Sequence, residues 1–234
     1  MDLGDQTVLV TGAAGNLGRA VAQAFRARGA NLVLLDHRRD VLEKAFGADE
    51  GRRMLAPVDL LDRTQTGATV AKAIERFGRI HVLCNVAGGF RMGEAVHETS
   101  DETWTFLFDI NTRTLLNAVR AVVPHMIEGG GGKIVNVGAF SAQRGVGSMG
   151  AYCAAKSVVI RLTEAMSAEL REKRINVNCV LPTTLDTPEN RVAMPNADPA
   201  GWVAPAALAE TIVFLASEEA RAIHGAAVPV TGLG

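Results

Sequence analysis

Short apolar segments alternate with longer amphipathic segments along nearly the whole chain. Runs such as residues 80–85, IHVLCN, are typical of strands in a parallel sheet that is covered on both faces. Parallel neighbours in a sheet need a crossover between them, and the intervening segments have the period of helices. We therefore predict an α/β fold with one doubly wound Rossmann-type parallel sheet of about seven strands and helices on both faces. The predicted strands are residues 7–11, 31–36, 53–59, 80–85, 133–137, 174–181 and 226–231.

Neither a linker nor an internal repeat interrupts this alternation, so we predict a single domain over residues 1–234. Hydrophobic residues make up 48% of the chain, which is enough for a sizeable core. The 24 basic and 25 acidic side chains nearly cancel, and no basic block indicates binding to nucleic acid or an anionic membrane. No apolar run approaches the length of a membrane span, and residues 1–6, MDLGDQ, are acidic, so we expect no signal peptide in them.

The three cysteines show neither a disulfide pattern nor metal-ligand spacing, which indicates a reducing, cytoplasmic location. The five histidines are scattered without ligand spacing, so we expect no metal site.

A glycine-rich turn follows the first strand and precedes a helical pattern. In that context glycines let the backbone approach a diphosphate closely, and the helix N-terminus offers free N–H groups. An ordinary tight turn is the alternative. The residues predicted to hold a dinucleotide here are Gly12, Gly15, Asn16, Leu17 and Gly18.

Asp36 ends the second strand, a little over 20 residues beyond the glycine turn. A carboxylate there can accept from the ribose hydroxyls of NAD and repels the 2′-phosphate of NADP, so NAD(H) is favoured. Arg38 and Arg39 keep NADP(H) possible because a guanidinium can accommodate a phosphate. A helix cap is the alternative for Asp36. Asp59 and Leu60, at the end of the third strand, are placed to meet the adenine ring.

Tyr152 and Lys156 stand four residues apart in a predicted helix, so their side chains share one face. A nearby ammonium favours the phenolate, which would make the phenol a better proton donor and acceptor near neutrality. A half-buried tyrosine beside a solvated lysine is the alternative. Asn111 lies near the middle of a predicted helix over residues 103–127, where asparagine is mildly unfavourable. An exposed or locally bonded side chain is its alternative.

Residues 183–205 are rich in proline and predict an irregular substrate lid. Trp202 lies within it and either walls the substrate pocket or packs the lid. Met92, Met149 and Met194 lie in loops expected to face the pocket, with ordinary gap filling as their alternative.

Together these residues resemble the short-chain dehydrogenase/reductase family over essentially the whole chain. Residues 11–18 resemble its T-G-x-x-x-G-x-G turn, and NVAG at residues 85–88 is similar to its N-x-A-G segment. Further matches are the helix asparagine, the Tyr/Lys pair, and a P-G-x-x-x-T segment in which Thr183 replaces the glycine. These further matches fall on Asn111, Tyr152, Lys156, Pro182 and Thr187.

The resemblance implies residue roles. Tyr152 exchanges a proton with the substrate, while Lys156 lowers the pKa of the phenol and bonds the nicotinamide ribose. Asn111 holds a water that connects Lys156 to solvent, and Thr187 contacts the nicotinamide carboxamide or the diphosphate. The family also implies cofactor contacts and a homodimer or homotetramer that acts on a small molecule. Those contacts come from Asn85, Ala87 and Gly88.

One departure from the family concerns the serine that it usually places thirteen residues before the tyrosine. Ala139 occupies that position here, and the nearest hydroxyls belong to Ser141 and Ser148. The loss of a donor to a developing oxyanion typically costs on the order of 10² to 10³ in rate. Either a neighbour substitutes, or the substrate develops no full alkoxide.

The quinonoid dihydropteridine reductase branch, which also has Gly-Ala at this point, resembles residues 180–202 and the VAGGF segment at residues 86–90. By that resemblance the substrate is a conjugated imine, and Phe90 stacks on a flat heterocycle; simple loop packing is the alternative. Two features differ from that branch. Asn111 is retained, as in the wider family, and residues 174–180 and 214–230 resemble bacterial oxoacyl-carrier-protein reductases.

The resulting expectation is an NAD(P)(H)-dependent oxidoreductase, with NADH preferred, that transfers a hydride to a carbonyl or conjugated imine. The first alternative is an oxoacyl-carrier-protein reductase-like enzyme in which Ser141 replaces the missing serine. The second is a non-catalytic dinucleotide-binding or sensing protein.

Overall fold

Seven parallel strands form the sheet in a computed structural model that describes residues 3, 4 and 6–233. The spatial order is β3-β2-β1-β4-β5-β6-β7, so the chain starts in the middle and winds outward in both directions. The predicted fold class is confirmed, and residues 1, 2, 5 and 234 of the predicted domain lie outside the described part. The strands are β1 (Thr7–Thr11), β2 (Asn31–Asp36), β3 (Arg53–Pro57), β4 (Val82–Asn85), β5 (Gly132–Val137), β6 (Ile175–Pro182) and β7 (Ala227–Val230).

Helices cover both faces of the sheet, because the inner strands are buried on both sides. Helices α1, α2 and α8 bury apolar side chains against one face, and α3, α5 and α6 pack against the other. Helix α4 packs on α6 through Leu107. The helices are α1 (Asn16–Arg26), α2 (Arg39–Phe46), α3 (Arg63–Phe77), α4 (Asp101–Phe108), α5 (Thr114–Glu128), α6 (Gly150–Leu170), α7 (Pro188–Ala193) and α8 (Pro205–Leu215). Within the described residues, none of them has both the length and the apolar character that a membrane span requires.

The predicted helical stretch over residues 103–127 is confirmed as one uninterrupted run, in which a π-helical segment, Asp109–Arg113, lies between α4 and α5. Polar side chains in this region bond to carbonyls four residues earlier. Thr114 Oγ1 donates to the Ile110 carbonyl at 2.8 Å, and Asn111 Nδ2 donates to the Leu107 carbonyl at 2.9 Å. Such bonds compete with the regular backbone ladder and distort a helix.

The segment predicted as an irregular lid contains α7 and a short 3₁₀ turn, Pro199–Gly201. Thr187 caps α7 by accepting from the Asn190 N–H at 3.2 Å, and Pro188 occupies the first helical position, where proline is favoured. Short helices of this kind carry little periodic signal, which is why the sequence predicted only a loop.

All seven strands point the same way, so their carboxyl ends meet at one edge of the sheet. Open α/β sheets bind ligands at that edge, next to the point where the winding direction reverses. Here the reversal lies between β1 and β4. The loops that carry the predicted site residues leave the sheet at this edge.

Candidate active site

The glycine turn is shaped by close contacts at its first and last glycines. A Cβ on Gly12, whose φ is +61°, would lie 2.8 Å from Ala87 Cα, and one on Gly18 would lie 2.2 Å from the Gly12 carbonyl oxygen. Gly15 is exposed, and its Cβ position meets only the Gly12 oxygen, at 3.4 Å. Side chains are thus excluded at both ends, and the middle of the turn stays open to a ligand.

Helix α1 begins at Asn16, and no side chain caps it. The N–H groups of its first turn are therefore available to an anion, and the helix dipole favours a negative charge there. Asn16 stands where the resembled pattern has its second glycine, with Gly15 one position earlier. The open turn and the uncapped helix fit the diphosphate of a dinucleotide.

Thr11 joins this turn to the NVAG segment after β4. Its Oγ1 accepts from the Val86 and Ala87 N–H groups at 3.0 and 3.1 Å. Asn85 is buried, and its Nδ2 donates to Asn136 Oδ1 at 2.9 Å. These bonds hold the two loops that flank the reversal point against one another.

Asp36 lies beside the glycine turn, as predicted. Its carboxylate accepts from the Ala14 N–H at 3.0 Å and from the His37 N–H at 2.8 Å. Arg38 and Arg39 are paired with Asp40 and Glu43, at 3.0 and 3.2 Å. The carboxylate is therefore fixed at the position where it could accept from a ribose, while both guanidinium groups have other partners.

The Asp59–Leu60 segment is held by a residue that the sequence analysis missed. Asn117 of α5 is buried, and its Nδ2 donates to the carbonyls of Leu60 and Leu61 at 2.9 and 3.1 Å. Asp59 Oδ1 accepts from the Leu61 N–H at 2.9 Å. A polar residue on the apolar face of a predicted helix is the signal that could have identified Asn117.

Asn111 is buried, which excludes the alternative of an exposed side chain, while its bond to the Leu107 carbonyl matches the alternative of a locally bonded one. Its Oδ1 accepts from the Gly89 N–H at 3.1 Å, and its Nδ2 donates to the Gly89 carbonyl at 3.0 Å. The π-helical segment thereby turns the amide toward the loop after β4, and π-bulges are frequent at functional sites.

Tyr152 and Lys156 lie on α6 and face the same loop. Lys156 is buried, and its Nζ donates to the Val137 carbonyl at 2.8 Å. A Cβ on Gly88 would lie 2.9 Å from Asn111 Oδ1 and 3.1 Å from Lys156 Nζ. The three residues predicted as catalytic thus come from two helices to one place, and Gly88 lies between two of them.

Burial is the main cause of the pKa shifts of Tyr152 and Lys156. It raises the pKa of the Tyr152 phenol to about 12, and Cys153 adds to that rise. It lowers the pKa of the Lys156 ammonium to about 8, which Cys179 partly offsets. The prediction that Lys156 lowers the pKa of Tyr152 is wrong in this structure, because Nζ bonds to a backbone carbonyl and desolvation outweighs charge attraction.

Ala139 occupies a buried position after β5, and no hydroxyl replaces the missing serine there. Ser141 lies in the 3₁₀ turn Phe140–Gln143. Its side chain makes no hydrogen bond to Tyr152 or to any other described residue. The structure therefore does not place Ser141 as the partner of Tyr152.

A cavity of about 190 Å³ opens beside Tyr152. Met92 and Met149 line the cavity, as predicted. Met194 does not line it. The predicted substrate residues that also lie outside its lining are Phe90, Ser141 and Trp202. Polar side chains from the loop after β4 and the start of α4 were not predicted. They are Arg91, Glu94, Thr99 and Thr103.

The predicted residues that do not line this cavity have other contacts. The Phe90 ring packs edge-on against Tyr152, with centroids 4.8 Å apart. Trp202 is half-buried in the lid, and its backbone N–H donates to the Pro199 carbonyl at 3.0 Å. Thr187 caps α7, the lid helix. Among the described residues, no group of three His, Cys, Asp or Glu side chains is arranged to hold a metal ion.

Comparison with known proteins gives consistent matches along the chain. The chain is 31% identical to a meso-2,3-butanediol dehydrogenase from Serratia marcescens, over 99% of this chain and 95% of that protein. It is 30% identical to a 3-oxoacyl-[acyl-carrier-protein] reductase from Thermotoga maritima, over 99% and 98%. Carveol dehydrogenase from Mycobacterium avium, solved in complex with NAD, superposes with a TM-score of 0.84 at 26% identity, over 96% of this chain and 95% of that one.

A family model described as short chain dehydrogenase matches residues 6–197 of the 234. That match covers the glycine turn, the NVAG segment, the Tyr152/Lys156 helix and most of the lid. The chain therefore belongs to the short-chain dehydrogenase/reductase family and is an NAD(P)-dependent oxidoreductase.

Proposed function

We propose that this protein transfers a hydride between NAD(H) and a carbonyl or conjugated imine carbon of a small molecule. The observation that carries the proposal is the meeting of Lys156 and Asn111 at Gly88, with Tyr152 one helical turn before Lys156 and packed against Phe90, at the sheet edge beside an open glycine turn. In this proposal Gly12, Gly15, Asn16, Leu17 and Gly18 hold the diphosphate. Asp36, Asp59, Leu60, Asn85, Ala87, Gly88 and Thr187 contact the rest of the cofactor.

The preference for NAD over NADP is supported by the charges around Asp36. Its carboxylate is anchored by two backbone N–H groups. A 2′-phosphate would meet this negative charge, and the neighbouring Arg38 and Arg39 are paired with acidic residues.

The chemical step divides between the cofactor and Tyr152. The bound nicotinamide supplies the hydride at its C4. Tyr152 donates its phenolic proton to the oxygen or nitrogen that gains the electron pair, and Lys156 would bond the ribose of the nicotinamide. Asn111 holds the Gly89 backbone through two hydrogen bonds, and Gly88 lies between Asn111 and Lys156. We propose that Asn111 also orients a water that connects Lys156 to solvent.

The finer proposal concerns the substrate. Ala139 offers no hydroxyl to an alkoxide, and Ser141 makes no bond to Tyr152. Phe90 is 52% exposed beside the phenol and offers an aromatic surface to a flat ring. These two features favour a conjugated imine of the quinonoid dihydropterin type, whose nitrogen takes the proton directly. We propose that residues 183–205 form the lid over this substrate.

A ketone or secondary alcohol is the second candidate substrate. Two observations favour this candidate. Polar side chains line the cavity, and the relatives include a butanediol dehydrogenase and an oxoacyl reductase. A non-catalytic binding role is disfavoured by Lys156, because a buried ammonium destabilises the fold and a binding protein has no use for it.

The assembly is proposed to be a cytoplasmic homodimer or homotetramer. Trp104 is stacked on Phe108 of α4 and is 48% exposed. An exposed apolar surface of this kind supports a contact with a second subunit. The molar mass of the purified protein by light scattering tests this.

The function is tested by oxidation of NADH and NADPH with quinonoid dihydropterin, an oxoacyl thioester and acetoin. We expect turnover on the pterin with NADH, and turnover confined to the thioester or acetoin would support the second candidate. Tyr152→Phe should lower kcat by about 10² or more and leave the Kd for NADH nearly unchanged. Undiminished turnover in that variant would contradict the proton-donor role.

A further inference from the structure

The lid contacts the first residue of the helix that follows the glycine turn. Glu189 Oε2, on α7, accepts a hydrogen bond from Asn16 Nδ2 at 2.7 Å. Asn16 Oδ1 in turn accepts from Arg19 Nη2 at 2.7 Å. A carboxylate from the lid is thus docked on the first turn of α1, at the position where Asn16 replaces the glycine of the family pattern.

The Glu189 carboxylate is ionised at neutral pH. Its own backbone N–H lowers its pKa most, and the amide of Asn16 and the charge of Arg19 lower it further. The uncapped first turn of α1 attracts anions, and the Glu189 carboxylate reaches this turn through the side-chain amide of Asn16. The same turn is the part of the site that fits a diphosphate, and two anions so close together repel one another.

We propose that Glu189 is a positioning residue that competes with the cofactor diphosphate for the first turn of α1. The docked carboxylate holds α7 against the glycine turn, and dinucleotide binding detaches it. The inference rests on the dinucleotide site of the proposed function. Its consequence is that Glu189 weakens the binding of NAD(H) and speeds its release.

The lid does not need this contact in order to fold. Asp186 and Arg191 form a two-point ion pair at 2.6 and 2.9 Å, and Asn190 Nδ2 donates to the Leu185 carbonyl at 2.8 Å. The bond between Glu189 and Asn16 joins exposed side chains, and such surface bonds contribute little to stability. Loss of the Glu189 charge should therefore change cofactor binding without unfolding α7.

The test is the Kd of the full-length protein for NADH and for ADP-ribose, measured by calorimetry for wild type and Glu189→Gln. We expect both ligands to bind about three- to tenfold more tightly to the variant. The gain should shrink at about 0.5 M salt, because salt screens exposed charges. Glu189→Ala should change the Kd in the same direction, which covers the case of a poorly folded glutamine variant.

Glu210→Gln is the matched control, because Glu210 pairs with Arg28 at 2.6 Å on the surface between α1 and α8. Its Kd values should equal those of wild type. An unchanged or weaker Kd for NADH in Glu189→Gln would overturn the inference, as would an equal gain for adenosine, which has no diphosphate. Wild-type protein that binds no dinucleotide would overturn both the inference and the proposed function. Tight NADH binding without turnover on any substrate would overturn only the proposed function.

Discussion

The ring of Phe90 stands edge-on to the phenol of Tyr152, with ring centroids 4.8 Å apart and an interplanar angle of 88°. Phe90 is nevertheless 52% exposed, so one side of an aromatic ring next to the proposed proton donor remains open. Edge-to-face pairs orient the rings that form them. Phe90 is therefore placed to orient Tyr152 and to offer a surface to a flat substrate.

Phe90→Ala should raise KM for quinonoid dihydropterin by about two- to tenfold, the range of one aromatic contact. A small aliphatic ketone such as acetoin should show a smaller change, because it has no ring to stack. Steady-state kinetics with both substrates measure the difference, and the Kd for NADH should not change. Phe214→Ala is the control, since Phe214 is 39% exposed on α8. Equal KM increases for both substrates would contradict the stacking role.

Lys156→Met should change how stability depends on pH. Burial lowers the pKa of Lys156 from 10.5 to about 8, so between these values the unfolded chain binds more protons than the native one. The wild-type free energy of unfolding should therefore gain a rising contribution from pH 8 to 10.5. The variant lacks this contribution, and the difference between the two proteins should shift by about 3 kcal/mol across the window.

Urea unfolding of both proteins at several pH values measures this shift. The lost bond to the Val137 carbonyl adds a constant offset that does not depend on pH. Lys72→Met, at an exposed lysine of α3, should show no such pH-dependent difference. A constant difference between wild type and Lys156→Met from pH 7 to pH 11 would show that the ammonium is not desolvated.

Much of the fold could be predicted because each strand carries its own local signal. Apolar β-branched runs fixed the places of all seven strands to within one or two residues, which is the usual uncertainty of strand ends. The π-helical segment between α4 and α5 could not be predicted, since it accompanies hydrogen bonds between the Asn111 side chain and the distant Gly89 backbone. Helix α2 is short and largely polar, so its periodic signal is weak, and the sequence indicated it only through the alternative of a cap at Asp36.

In the candidate site, motif residues were predictable and their supporting contacts were not. The glycine turn, Asp36 and the Tyr152/Lys156 pair lie together because strand ends and helical spacing dictate it. Asn117, Glu189 and the polar side chains of the cavity come from elements far apart in sequence, so no local pattern joins them. The sign of the Tyr152 pKa shift was wrong because burial cannot be read from a spacing of four residues.

Asp36→Asn should reduce the ratio of kcat/KM for NADH to that for NADPH by at least about tenfold, since a unit of charge repulsion near the 2′-phosphate is removed. The amide can still accept from the Ala14 N–H, so the glycine turn should keep its shape. The measurement is initial rates with both cofactors at one substrate concentration. Asp62→Asn, which retains the cap of α3, is the control for loss of an acidic charge. An unchanged ratio would remove Asp36 as the determinant of NAD preference.

Ala139→Ser tests whether the missing hydroxyl limits the substrate range. Ala139 is 5% exposed and has an extended backbone, with φ −155° and ψ 146°, which serine adopts without strain. A donor to a developing alkoxide contributes on the order of 10² in rate, so turnover of acetoin should rise by up to that factor. Turnover of quinonoid dihydropterin, which forms no alkoxide, should change by less.

Ser141→Ala completes this comparison, because Ser141 and Ser148 carry the nearest other hydroxyls, and Ser148 lines the cavity beside Tyr152. The Ser141 side chain has no hydrogen-bond partner among the described residues, so its removal should not change turnover of acetoin. A loss of about 10² in Ser141→Ala, with no gain in Ala139→Ser, would instead assign the donor to Ser141 and support an oxoacyl reductase. The two variants together therefore separate an enzyme that needs no alkoxide donor from one that takes its donor two residues later in the chain.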